Sequence, residues 1–267
     1  MTAQSVANWP ITSSPGRGGM FLCFGNSLRK ELTQWMRGPG ALIIAGISVL
    51  GAVFMTLIPF IAKASGETEA AGMTSMDPTA NVLLVFAGQT IAFIVVVATM
   101  ALLSGERDRG TLAWSLTNPV SPTSIIAAKY IAAMLVISVT AVVLPLVVSV
   151  GVATVAYGGL PNLAIVGTYA GLYLMVPAFF IALTVGFWTA IKSTAGVAGA
   201  AFAVVFIPQI LGGILPIINE VSPTSIGNWA LAVAKGQPAS PLTLVGWVVS
   251  MVVIVIAAKV VFDRQEV

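Results

Sequence analysis

Hydrophobic positions in this chain gather into six long runs, and the polar positions are confined to the stretches between them. The runs fall at 40–62, 82–103, 130–157, 163–190, 194–217 and 242–262. A helix needs roughly 20 predominantly apolar residues to cross a bilayer, and each run supplies them. The pattern predicts an all-α integral membrane protein with six transmembrane helices. The third and fourth runs are long enough to tilt or to extend past the hydrocarbon. Pro59, Pro145, Pro177, Pro208 and Pro216 fall within the runs. They predict kinks, tolerated where neighbouring groups satisfy the freed carbonyls.

Residues 1–19 carry no periodic pattern and are rich in Ser, Gly, Pro and Thr. They read as a mobile tail, without the basic start and compact apolar core of a secretory signal. Residues 20–38 are different. Phe21, Phe24, Leu28, Leu32, Trp35 and Met36 share one side of a helix, while Arg29, Lys30, Glu31, Gln34 and Arg37 crowd the other. An ordinary soluble helix would show the same pattern. A span begins a few residues later, so the reading adopted is a helix lying in the membrane interface. The transmembrane domain then occupies 39–262.

Composition agrees with lipid as the main solvent. Of 267 residues, 58% are hydrophobic and 8% charged, against about 25% charged in a soluble domain. With no histidine and one cysteine, Cys23, a disulfide framework, a Cys/His metal cluster and a Ser-His-Asp hydrolase are excluded within one chain. No nucleic-acid partner is expected. The placement of basic residues sets orientation. With the N-terminus inside, ten fall on the cytoplasmic side (Arg17, Arg29, Lys30, Arg37, Arg107, Arg109, Lys129, Lys192, Lys259, Arg264) and two outside (Lys63, Lys235). Both termini are therefore expected in the cytoplasm. No charge falls at the centre of a run, which disfavours an ion-driven carrier.

The densest charge lies between the second and third runs: Glu106, Arg107, Asp108 and Arg109, followed by Gly110, Thr111, Leu112, Trp114 and the turn Asn118-Pro119. Ser121 and Pro122 read as an N-cap and first helical position leading into the third run. A solvated loop obeying the positive-inside rule would also carry these charges. Their junction with Leu-Ala-Trp-Ser-Leu predicts instead a short helix along the membrane, wet on one face, on which a cytoplasmic protein could dock.

The stretch Gly105-Glu106-Arg107-Asp108-Arg109-Gly110-Thr111-Leu112, with Asn118-Pro119-Val120-Ser121 and Lys129 after it, resembles the signature of ABC-2-type permeases, the membrane subunits of ATP-binding-cassette exporters. Arg29-Lys30-Glu31-Leu32 resembles that family's interfacial helix, and the likeness covers nearly the whole chain. Ala127-Ala128 stand before Lys129 where Leu-Gly is more usual. The resemblance implies a permease pair, of identical or related chains, each served by a separate nucleotide-binding ATPase. It implies that 104–118 include a coupling helix, with Glu106, Arg107, Asp108 and Arg109 toward the ATPase and the Leu112 and Trp114 side toward the bundle, and with Gly110 and Thr111 part of the same motif. ATP and Mg would bind the partner, and this chain would bind no cofactor. The sequence agrees: it holds no G-x-x-x-x-G-K-[ST] phosphate loop.

Residues 218–241 should form an outer loop. Ser222 can cap a helix beginning at Pro223, and Gly236 can end it after Lys235. Ile226, Trp229 and Val233 make it amphipathic, as a membrane-surface loop with an anchoring tryptophan would also be. The resemblance implies a re-entrant exit gate involving Pro223 and Trp229. Gln89 and Gln209 lie inside runs, either as hydrogen-bond glue between helices or along a substrate path. Gly167-x-x-x-Gly171, Gly196-x-x-Gly199 and Gly212-Gly213 permit close helix approach, and the resemblance implies dimerisation through the first and fifth spans. The expected function is export of a hydrophobic or amphiphilic substrate across the cell membrane, by a chain that is not itself an enzyme. The competing readings are a stand-alone secondary transporter and a membrane-embedded enzyme, the latter disfavoured by scattered acids.

Overall fold

The computed structural model describes residues 24–65, 77–86, 90–108 and 122–263. Among these, all regular structure is helical: α1 (Phe24–Arg37), α2 (Gly40–Ala64), α3 (Pro78–Leu84), α4 (Thr90–Asp108), α5 (Pro122–Ile137), a π-helical turn (Ser138–Val143), α6 (Leu144–Tyr157), α7 (Leu163–Tyr173), α8 (Met175–Ala190), α9 (Thr194–Ile214), α10 (Pro216–Val221), a 3₁₀ turn (Pro223–Ser225), α11 (Ile226–Ala234) and α12 (Pro241–Asp263). Five stretches are long and apolar enough to cross a membrane: Gly40–Ala64, Thr123–Tyr157, Leu163–Ala190, Thr194–Ile214 and Pro241–Val261.

The second run differs from its sequence reading as one unbroken helix. Asp77 starts α3 by accepting from the backbone N–H groups of Thr79 (3.0 Å) and Ala80 (3.3 Å), with Pro78 at the first position. That helix ends at Leu84, and a second one starts at Thr90. The apolar part of α4, Ile91–Ala101, falls short of a full span by itself. Phe86 turns into a buried cluster with Tyr169 and Tyr173 of α7, ring centroids 5.8 and 5.0 Å away.

Contacts between elements fix their directions. α1 packs against α5, so the starts of α2 and α5 share one end of the bundle, here the α1 end. At the far end the Tyr157 hydroxyl donates to the Thr56 carbonyl at 2.7 Å, and Phe60 meets the Tyr157 ring edge-on. α2 and the α5–α6 helix thus run parallel, and the chain must return between them. The α3–α4 pair makes that return. α3 begins at the far end, where Thr79 accepts from the Asn162 N–H at 2.9 Å, and Ala98 and Ala101 of α4 reach the level of Trp35 and Gly38. α7–α8 and α12 also run toward the α1 end, with Trp247 of α12 donating to the Met175 carbonyl at 3.0 Å.

Several prolines set boundaries between helical segments. Pro145 follows the π turn, in which the Leu144 N–H bonds back to Val139. A proline lacks the N–H and crowds the carbonyl four residues back, and the widened turn accommodates both. Pro177 would crowd the Tyr173 carbonyl, and α7 stops there. Pro216 opens α10, whereas Pro59 and Pro208 stay inside α2 and α9.

Candidate functional site

The α1 end is built from three helices converging on one ion pair. Lys129 of α5 and Glu31 of α1 meet at 2.9 Å, with side chains only 1% and 4% exposed. The Lys129 ammonium also lies 5.7 Å from the ring centre of Trp188 on α8. Trp35, one turn beyond Glu31, is buried in the core beside α1's Leu28 and Leu32. Isolated charges in such a place would be expensive, so each one fixes the position of the other. Small residues make the approach possible: Ala128, Ala132 and Ala133 are almost fully buried.

This pair corrects the sequence reading of α1. Glu31 belongs to the side assigned to water, yet it is buried. Arg29, Lys30 and Arg37 do edge a shallow outward recess. The signal for the pairing was Lys129 itself, set among alanines inside a helix rather than in a polar loop.

α4 carries Ser104, Gly105, Glu106, Arg107 and Asp108 as its last residues, so the first part of the charged motif continues the helix past its apolar stretch. Arg109, Gly110, Thr111, Leu112 and Trp114 lie outside the described residues, as does Gln89. The described chain resumes at α5, which the Glu31–Lys129 pair anchors. The charged segment is thus bracketed by two helices at the α1 end.

A groove of about 840 Å³ opens beside this anchor, between α2 and α4. Ile43, Ile47, Phe93 and Val97 form its walls, with Gln34 and Arg37 at its α1 edge. Phe93 also stacks against Phe202 and Phe206 of α9, at 5.3 and 5.2 Å. Gln209, on α9, is exposed and donates to the Val205 carbonyl one turn back at 2.8 Å. That bond stays within α9, and among the described residues Gln209 makes none to another helix.

At the far end, α9 gives way to a helical hairpin that folds back along the bundle. Asn219 of α10 donates to the Gly212 carbonyl at 3.1 Å, and Thr243 of α12 donates to the Glu220 carbonyl at 2.6 Å. Ser222 accepts from the Thr224 N–H, with Pro223 opening the 3₁₀ turn. The vertex is pressed inward. Gly227 lies against Tyr173, and Gly246 faces the Val221 carbonyl so closely that no Cβ would fit. Trp229 is half-buried against the core, Ile226 and Ala230 are buried, and Gly236 ends α11 at φ 66°. Of the small-residue motifs, Gly212 takes part in this packing, since Asn219 lies so close over it that no Cβ would fit, whereas Gly167, Gly171, Gly199 and Gly213 look onto open space and Ser193 and Ile191 fill the space over Gly196.

A family model described as "ABC-2 family transporter protein" matches residues 26–267. Among curated proteins, none matches this chain.

Proposed function

This chain belongs to the ABC-2 transporter family, and from that premise we propose that it is the permease subunit of an ATP-driven exporter, crossing the cell membrane six times with both termini in the cytoplasm. A separate ATPase, carrying ATP and Mg, docks on the segment 104–118. The observation that carries this reading is the course of α4, which continues through Glu106, Arg107 and Asp108 at the end of the bundle where α1 and α5 are locked together. A push on the segment would pass into α4 on one side and α5 on the other. The ten-to-two division of basic residues supports a cytoplasmic position for that end.

The groove between α2 and α4 is the best candidate for the cargo. Its apolar walls and its Gln34 and Arg37 edge suit an amphiphile whose polar head stays near the cytoplasmic interface. Outward-facing Leu42 and Leu50 on α2, and Ile210 and Ile214 on α9, suit a second permease copy or a related chain. Pro223 and Trp229 belong to the hairpin that would gate the exit.

The test is purification of the full chain with its bound partners, followed by charge reversal at Arg107 and Arg109. We expect a co-purifying nucleotide hydrolase whose substrate-stimulated activity falls at least about tenfold in R107E/R109E, equivalent to ~1.4 kcal/mol of lost coupling. Transport and stimulated hydrolysis that survive the double substitution unchanged would remove the coupling role.

A further inference from the structure

A second crevice, of about 300 Å³, runs between α5, α8 and α12 and shares no residue with the groove between α2 and α4. Ile126 and Tyr130 line it from α5, Ala182 and Gly186 from α8, and Ile254 and Val255 from α12. Lys259 and Thr123 close it at the α1 end. We propose that this crevice binds one anionic phospholipid, with an acyl chain between the three helices and the headgroup phosphate on Lys259.

The apolar part follows from what surrounds it. Val248, Val252, Val255 and Ile256 of α12 are all exposed, so this helix faces hydrocarbon and the crevice opens into it. From Met251 to Lys259 the lining extends over nine residues of α12, about 12 Å along the helix. That is the direction an acyl chain takes, with the lysine at headgroup level.

The charge follows from Lys259. Lys129, the other lysine on these helices, is already neutralised by Glu31. Lys259 has no ion-pair partner among the described residues. Its stem can follow the apolar wall while the ammonium reaches the interface. Thr123 adds a hydroxyl in the first turn of α5, where the helix dipole favours an anion. No carboxylate lines the crevice, so nothing there would receive the amine of a zwitterionic headgroup. Basic pockets between membrane helices on the cytoplasmic side commonly hold anionic lipids for these reasons.

The test is native mass spectrometry of the full chain in detergent, incubated with equal amounts of phosphatidylglycerol and phosphatidylcholine. We expect one phosphatidylglycerol per protomer to be retained in preference to phosphatidylcholine. K259Q should lower that retention about fivefold, the factor one lysine supplies at an anionic surface. V255W, which fills the crevice, should remove the bound lipid altogether. K192Q, an exposed lysine at the same end but outside the crevice, should change nothing. Equal losses in K192Q and K259Q would mean general surface attraction and overturn the site. Retention untouched by K259Q would overturn it as well, whether or not V255W folds. A change of oligomeric state in V255W, with lipid retention intact, would assign the crevice to a second protein copy instead.

Discussion

Glu31 and Lys129 decide how α1 joins the rest of the protein, because neither charge could remain where it is without the other. Removing one partner of a buried pair costs about 3–5 kcal/mol, whereas replacing both with apolar residues of similar size is often near neutral. We therefore expect E31M and K129M each to destabilise the protein by that amount, and E31M/K129M to cost much less than their sum. Denaturant unfolding in detergent, followed by tryptophan fluorescence, measures the cycle, and Trp35 and Trp188 lie close enough to report it. A double substitution that costs as much as the two singles added would show that the charges do not depend on each other. Periodicity could place Glu31 on a helix face but could not name its partner 98 positions away in sequence. The face pattern treats every charge as bound for water. Only packing discloses that this one is met by a lysine.

Element boundaries follow local chemistry where a side chain bonds its own backbone, and tertiary contacts where it does not. Asp77, Asn162 and Ser193 cap α3, α7 and α9 with their own side chains, while Ser222 and Gly236 bracket the outer turn as their residue types predict. Just past the end of α3, Phe86 packs on Tyr169 and Tyr173 of α7, a contact between elements distant in sequence. The depth of the outer hairpin is set by packing, at Gly246 against Val221. A methyl group there meets backbone, which cannot swing aside as a side chain can. Overpacking of this kind costs about 1–3 kcal/mol. G246A should lose that much stability and loosen the hairpin, so that a cysteine placed at Ser225 reacts faster with a thiol reagent. G213A, which faces open space, is the matched control and should behave as the unaltered protein does. Equal reactivity in the two variants would show that the contact does not hold the hairpin in place.

At the scale of the molecule, the parallel course of α2 and α5–α6 obliges the chain to pass back between them, and the α3–α4 pair makes that return. Five stretches are long and apolar enough to cross a membrane; the six passes we propose add the α3–α4 pair, and they put Ser65, Leu160 and Lys235 at one end with Lys192 at the other. The hydrophobic runs made the all-helical character legible, because lipid demands internally bonded helices whatever they pack against. Their arrangement was not readable in that way, since the runs differ little from one another and hydrocarbon does not distinguish their faces. The placement of basic residues predicts which end is cytoplasmic, and accessibility in intact cells tests the side and the count together. With Cys23 replaced by serine, single cysteines at positions 65, 160 and 235 should react with a membrane-impermeant maleimide from outside. A cysteine at 192 should react only after the membrane is opened. Uniform reversal of this pattern would invert the orientation but keep the six passes. Positions 65 and 160 labelling from opposite sides would break the parallel relation of α2 and α6, and the α3–α4 crossing would fall with it.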